Sequence, residues 1–303
     1  MTGVTQQCAV CGGEVSAHFQ DDLRDREYAT PWTGDVKCCV ECGLAQQSPM
    51  LTTSEAVALY PPNYQHYDRQ NTRLSDFLMR TYLRRTVKKM KDLGVGPGMD
   101  MLDIGCGSGQ PLSILSQALG CRGVGIEPSP IAAEAARKRF GVEVHVGTFP
   151  HPDLAGRKFD IIYLNHVIEH VPDPVGLFRD IGAALKPGGI LIGETENVGS
   201  LSARLFKQYW ALLHLPYHLY FFTESTLKKA FDAAGLPGAT INNLTDATAW
   251  SLSIQNWFRR KVPAGNHLPP RMPFYVPLTL SCIPLSLVEA GQGPILQFHV
   301  KKT

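Results

Sequence analysis

From about residue 100 onward, short apolar runs alternate with longer amphipathic stretches. The run DMLDIG predicts a buried strand, and QPLSILSQAL after it a helix. GVGIE predicts a second strand, and SPIAAEAARKRF a helix with Ser129 as N-cap and Pro130 at its first position. VEVHVG and FDIIYL read as two more strands. Asp173 and Pro174 cap and open VGLFRDIGAAL, which is expected to end at KPGG, before a fifth strand in ILIGETEN. FFTESTLKKAFDAAGL carries a full set of helix signals: Thr223 as N-cap, a Phe222–Leu227 staple and Gly235 as the stop. Strands alternating with helices of this length predict an α/β fold with a doubly wound parallel sheet.

The rest of the chain is patterned differently. Residues 1–70 carry cysteine pairs, turn residues and YPPNYQHY, and are expected to form a small separate domain. Residues 71–98 read as a helical linker, LSDFLMRTYLRRTVKKMKDL, that ends at GVGPG. Residues 99–303 hold the α/β domain, with an insertion at about 249–293 that exceeds a plain connection. Trp257, Phe258, Arg259, Arg260 and Lys261 precede a proline-broken apolar run there, FYVPLTLSCIPLSLVEA. The insertion reads as a lid over an acceptor. A second reading is an interfacial segment making peripheral membrane contact, because aromatic and basic residues together suit a membrane surface.

Composition narrows the partner. The chain has 303 residues, 44% of them hydrophobic, and its 29 basic residues nearly balance 27 acidic ones. A net charge of +2 is too small for a protein whose affinity comes from neutralising phosphates, so there is no strong nucleic-acid signal. Asp21, Asp22, Asp25, Glu27 and Asp35 strengthen that reading for the first fifty residues. The start of the chain has no charged segment leading into an apolar one, which predicts a cytoplasmic location.

MLDIGCGSGQ follows a predicted strand and opens a helix, where such a sheet binds a nucleotide-like ligand. Gly105, Gly107 and Gly109 allow a sharp turn and close approach of the ligand. Glu127 ends the next strand, where a carboxylate can accept both ribose hydroxyls. Asp103 just before the loop matches a pyrophosphate poorly and an ammonium group well. With Asp103, the GxGxG loop, Glu127, FDIIYLNHVIEHVPDP and LKPGGIL in this order, the stretch from about Met99 to Gly235 resembles class I S-adenosylmethionine-dependent methyltransferases. The resemblance implies a Rossmann-like methyltransferase sheet with S-adenosyl-L-methionine as cofactor. It places Asp103, Gly105, Cys106, Gly107 and Gly109 at the methionine and ribose end, with Glu127 and Pro128 at the ribose. Thr148 and Phe149 of the GTF segment would lie near adenine, and Asn165 at the end of the fourth strand.

Cys8-x2-Cys11 and Cys39-x2-Cys42 are each followed by a glycine, Gly12 and Gly43. Two such knuckles can bring four thiolates into the tetrahedron that zinc favours, and four cysteine ligands make the site closed and structural. Disulfides or unpaired thiols are the alternatives. A zinc-ribbon-like domain ahead of this sheet resembles the sugar C-methyltransferases of deoxysugar biosynthesis. IEHVPDP and HLYFFTESTLKKAFDAAGL also resemble the ubiquinone-pathway and polysaccharide-type O-methyltransferases.

These resemblances imply methyl transfer to oxygen or carbon of a small-molecule acceptor, such as a sugar, nucleotide sugar or natural-product intermediate. Histidine suits the base such chemistry needs near neutral pH. His166, Glu169 and His170, after the fourth strand, are the catalytic candidates. Asn197, Tyr217 and His218 are expected to face the acceptor, together with Tyr64. Two rivals remain: a methyltransferase of a macromolecule that uses the ribbon for recognition, and a non-catalytic scaffold on the same fold.

Overall fold

The computed structural model describes residues 6–26, 32–51, 55, 73–261, 271 and 273–303. The chain forms two compact units, each assembled from separated segments. One comprises Met1–Tyr60, Ile168–Phe178 and Glu194–Phe298; the other Pro61–Val167, Arg179–Gly193 and His299–Thr303. Of the residues singled out above, Tyr64 and the YPPNYQHY stretch around it lie outside the described residues.

The second unit carries most of the predicted α/β pattern. Its strands are β4 (Asp100–Ile104), β5 (Arg122–Glu127), β6 (Glu143–Val146) and β7 (Phe159–Asn165), with helices α2 (Gln110–Leu119) and α3 (Pro130–Phe140) between them. β4 pairs in parallel with both β5 and β7, aligning Asp103 with Gly125 on one side and with Tyr163 on the other. β5 pairs in parallel with β6. The strands are apolar almost throughout because a parallel sheet of this kind is covered on both faces. Ahead of them, α1 (Arg73–Asp92) adds Leu83 and Met90 to a core that also holds Met101, Leu112, Ile161 and Ile192. Ser129 accepts from the Ala132 N–H, which is the predicted cap of α3.

β8 (Leu185–Glu196) and β11 (Ile295–Lys301) follow later in the chain. With β10 (Thr240–Leu244) they complete a seven-stranded sheet of order β10-β11-β8-β7-β4-β5-β6. The helix over VGLFRDIGAAL ends at KPGG as expected, but the fifth strand starts earlier than ILIGETEN. The helix α4 (Pro174–Ala184) stops before KPGG, and β8 already begins at Leu185. The glycines are paired rather than looped out: Gly188 N–H donates to Lys302 O, and Lys302 N–H to Gly189 O. Backbone pairing with the chain's last residues thus outweighs glycine's preference for a turn.

The first unit is built on a four-stranded antiparallel sheet. β1 (Val15–Arg24), β2 (Thr33–Cys39) and β3 (Ala45–Ser48) follow in order, and β9 (Tyr220–Phe221) adds to the edge of β3. Leu23, Val36, Ala45, Trp210 and Phe221 are among the residues of its core. The unit also contains α5 (Leu201–Phe206), α6 (Glu224–Ala233), α7 (Ala247–Phe258), α8 (Tyr275–Ser281) and α9 (Ile283–Val288). Helix α6 begins with a capping box on Thr223, and Phe222 and Leu227 are both buried.

Candidate active site

The glycine loop joins β4 to α2. Gly105, Gly107 and Gly109 all have positive φ, the region L-residues avoid. They differ in what surrounds them. A Cβ on Gly105 would come within 2.5 Å of Val167, and one on Gly109 within 2.6 Å of Ala136. A Cβ on Gly107 would meet nothing within 4 Å. Packing explains two of the glycines; the third borders open space, as an approach path for a ligand requires.

Two carboxylates flank this loop. Asp103, at the end of β4, is buried, and its carboxyl is held well above the usual range by desolvation and then by repulsion from Glu127. Glu127 closes β5. One of its oxygens accepts the Gly107 N–H at 2.9 Å and the other the Ser129 N–H at 2.8 Å. Those donors stabilise the ionised form, yet burial still leaves its carboxyl above the ordinary value. Each Glu127 oxygen keeps a lone pair for a ligand hydroxyl. At the end of β7, the buried Asn165 Oδ1 has no hydrogen-bond partner among the described residues. A site with two clustered acids, an unused amide oxygen and an open glycine fits a ligand bringing an ammonium group and hydroxyls. S-adenosylmethionine is such a ligand, and Asp103, Glu127 and Asn165 would hold it through these groups.

The other predicted residues of this half are placed as follows. Pro128 follows Glu127 ahead of the α3 cap, and Thr148 and Phe149 lie in the bend after β6. The Cys106 side chain is turned onto the sheet, its Sγ 2.5 Å from where a Gly125 Cβ would stand. It fills a gap there, so only its backbone is turned to the loop. His166 follows β7 directly with φ 52, a left-handed conformation that is uncommon outside glycine.

The remaining candidates belong to the other unit. Ile168–His170 form one 3-10 turn, because Pro172 stops anything longer. Glu169 is fully buried; its carboxylate accepts the Thr195 hydroxyl at 2.9 Å, and its carbonyl accepts the Leu219 N–H. His170 Nδ1 lies 2.9 Å from the Tyr217 carbonyl and His218 Nδ1 lies 3.0 Å from the Leu212 carbonyl. A carbonyl only accepts, so both rings carry their proton on Nδ1 and present Nε2 as the basic nitrogen. The two rings lie edge to face at 4.6 Å, and His214 stands 5.0 Å from His218.

Asn197 is engaged within the protein: its amide donates to Asn243 and to the Gly293 carbonyl, and its oxygen accepts the Gly199 N–H. It pins the turn after β8. Thr195 is a residue that sequence reading missed. Its alternation with Glu194 and Glu196 along a strand was the available signal, since one of three successive side chains must point to the opposite face.

The four predicted zinc ligands converge. The sulfurs of Cys8, Cys11, Cys39 and Cys42 all lie within 4.8 Å of one another, with Cys8 to Cys42 and Cys11 to Cys39 each at 3.4 Å. Zinc–sulfur bonds of about 2.3 Å put tetrahedral thiolates about 3.8 Å apart, so the donor set fits that ion. Both knuckles turn through a glycine of positive φ, Gly12 and Gly43, whose N–H groups bond back to the carbonyls of Cys8 and Cys39. Burial raises the Cys8 thiol. At Cys39 burial acts the same way but is outweighed by the N–H donors of Cys42 and Glu41, which bring it down to about 7.

A family model described as a methyltransferase domain matches residues 64–239. A ubiquinone biosynthesis O-methyltransferase of Methylobacterium sp. is 31% identical over 150 residues, 46% of this chain and 60% of that protein. The enzyme of the same description from Parvibaculum lavamentivorans is 32% identical over 203 residues, 60% of this chain and 77% of that protein. This chain therefore spans under two thirds of the first relative and over two thirds of the second. In fold it is similar to the Haemonchus contortus phosphoethanolamine N-methyltransferase 2 solved with S-adenosyl-L-methionine. That likeness has a TM-score of 0.54 at 18% identity and covers 85% of this chain and 62% of that one.

Proposed function

The chain belongs to the methyltransferase-domain family, of the class I S-adenosylmethionine-dependent kind, and we propose that it methylates an oxygen of a small metabolite. The acid pair Asp103 and Glu127, beside a glycine loop left open at Gly107, carries this reading. When bound, S-adenosylmethionine supplies an electrophilic methyl group on a sulfonium sulfur. Asp103 would take its ammonium group, Glu127 its ribose hydroxyls, and Asn165 Oδ1 a further donor. A hydroxyl acceptor gives up its proton as the new oxygen–carbon bond forms. His170 is assigned as the base, because the Tyr217 carbonyl fixes its proton on Nδ1 and so makes Nε2 the basic nitrogen. His166 is the alternate base, and His218, Tyr217 and Tyr64 are assigned to the acceptor. Glu169, spent on Thr195, positions the turn that carries His170.

Oxygen is favoured over carbon because the two curated relatives described above are O-methyltransferases by name. A sugar or nucleotide sugar is a narrower form of the proposal, as are a structural zinc on the four cysteines and a cytoplasmic site of action. Calorimetric titration with S-adenosylmethionine tests the core of it. Wild type is expected to bind, and Asp103→Asn to bind at least about tenfold more weakly, the loss of one charge-assisted contact. A wild-type protein that does not bind, or an unaffected variant, would sink the cofactor assignment. His170→Ala should lose turnover while keeping cofactor affinity; the reverse pattern would remove it as base.

A second reading concerns where the enzyme works. Helices α8 and α9 expose Val276, Leu280, Leu287 and Val288, and Trp257 and Phe258 are exposed in the last turn of α7. Among the described residues no helix is long and apolar enough to cross a membrane. An exposed apolar surface beside Arg260 and Arg271 suits the face of a bilayer instead. The protein should sediment with anionic liposomes at low salt, and Leu280→Asp should stay in solution. If wild type stays in solution too, the membrane contact is to be dropped.

A further inference from the structure

The first unit contains a cavity of about 60 Å³ whose wall is cationic. Arg24, Arg26 and Arg259 all line it, and among the described residues no carboxylate does. Leu213, Leu215 and Leu252 supply its apolar side. Two of the guanidiniums are held in place by the main chain: Arg24 donates to the Arg260 carbonyl at 3.1 Å and Arg26 to the Gln208 carbonyl at 3.2 Å. Arg26 is further fixed by lying 4.5 Å over the ring of Tyr209. Each such bond uses one of the five N–H groups a guanidinium owns.

A fourth lining residue points the same way. Trp210 is buried, and its indole N–H has no hydrogen-bond partner among the described residues. An orphaned buried donor costs about 1–3 kcal/mol, and native structures seldom leave one. Arginines are also costly to bury without counter-charge. Asp25, buried between Arg24 and Arg26 in sequence, supplies one negative charge. Burial and then repulsion from Arg24 pull Arg26 below the ordinary arginine value, so the two cations already strain each other.

We propose that this cavity is a binding site for a phosphoryl group, held by Arg24, Arg26 and Arg259 with the Trp210 N–H as a fourth donor. A tetrahedral dianion answers each feature: its charge suits a wall of clustered guanidiniums, and its oxygens accept from guanidinium forks and from an indole N–H. The site is separate in argument from methyl transfer and does not rest on that reading. Free phosphate and a phosphate ester share the chemistry; the ester would be part of a larger metabolite.

Titration calorimetry of the full chain at low ionic strength with inorganic phosphate, pyrophosphate and glycerol 3-phosphate tests it. Binding of at least one probe below about 1 mM is expected. Tightest binding of inorganic phosphate marks a free-ion site, and tightest binding of glycerol 3-phosphate or pyrophosphate an esterified ligand. Arg26→Gln should weaken the affinity by about tenfold and Trp210→Phe by a smaller factor. Arg26→Lys keeps the charge and guards against a variant that merely misfolds; it should fall between wild type and Arg26→Gln. No heat from any probe up to about 10 mM overturns the proposal. So does binding that survives unchanged in folded Arg24→Gln and Arg26→Gln proteins.

Discussion

Asp103 is a group whose charge the empty protein resists and a cationic ligand would welcome. Its folded ionisation lies above the ordinary 3.8 of an aspartate, because of burial first and Glu127 second. The native state therefore keeps a proton that the unfolded chain has released. The stability this gives is fully present below the unfolded value and is lost as pH rises through the folded one. An ammonium group beside Asp103 offsets that loss. The rise in melting temperature caused by S-adenosylhomocysteine, which keeps the ammonium, should thus grow as pH rises from about 4, and flatten in Asp103→Asn. Equal, pH-independent shifts in both proteins would contradict the assignment. The glycines make a second residue-scale prediction. Gly109→Ala adds a clash with Ala136 to the left-handed strain, so it should lose about 2–4 kcal/mol in urea unfolding. Gly107→Ala carries only the strain, about 1–2 kcal/mol, yet it should weaken cofactor binding more than its stability loss suggests. If both variants lose stability alike, the space at Gly107 is not open. The cysteine spacing and the loop glycines were legible in the sequence because each answers a local backbone demand. The partners of Glu127 and the orphaned Asn165 oxygen were not, since they depend on which strands lie side by side.

At the scale of elements, local signals and observed structure agree best where a helix carries its own stop and start. Helix α6 has the Thr223 cap, with Thr226 returning the bond to the Thr223 N–H at 2.9 Å. Thr223→Ala should cost about 1 kcal/mol in chemical unfolding. A change within error would mean the cap is redundant with the packing of Phe222 and Leu227. Agreement is partial at KPGG: α4 ends just before it, as expected, but the chain continues at once as β8 instead of starting its strand at ILIGETEN. The partner that decides this, Lys302, lies more than a hundred residues away. The turn at Ile168–His170 falls between these cases. Pro172 limited its length, but only the carbonyls of Tyr217 and Leu212 fix which nitrogens of His170 and His218 remain basic.

For the whole molecule, the strongest test is the metal. The native protein should carry about one zinc per chain, and a chelator or Cys11→Ser should remove it and lower the melting temperature. A folded, zinc-free wild type would refute the structural site. By itself the sequence determined the α/β alternation, the cofactor loop with Asp103 and Glu127, and the two cysteine knuckles. Each is a short-range pattern: a period, a cap, a spacing that the backbone reads within one or two elements. Only the tertiary structure decided how the segments sort into units, gathering Met1–Tyr60 with Ile168–Phe178 and Glu194–Phe298. It also decided that Arg24 and Arg26 share a cavity with Trp210 and Arg259. In the sequence those four are two basic residues near the start, a tryptophan far downstream and an arginine of the insertion's aromatic and basic run further on still. Long-range packing alone sets charges beside each other, and with them the places where a ligand is needed to balance them.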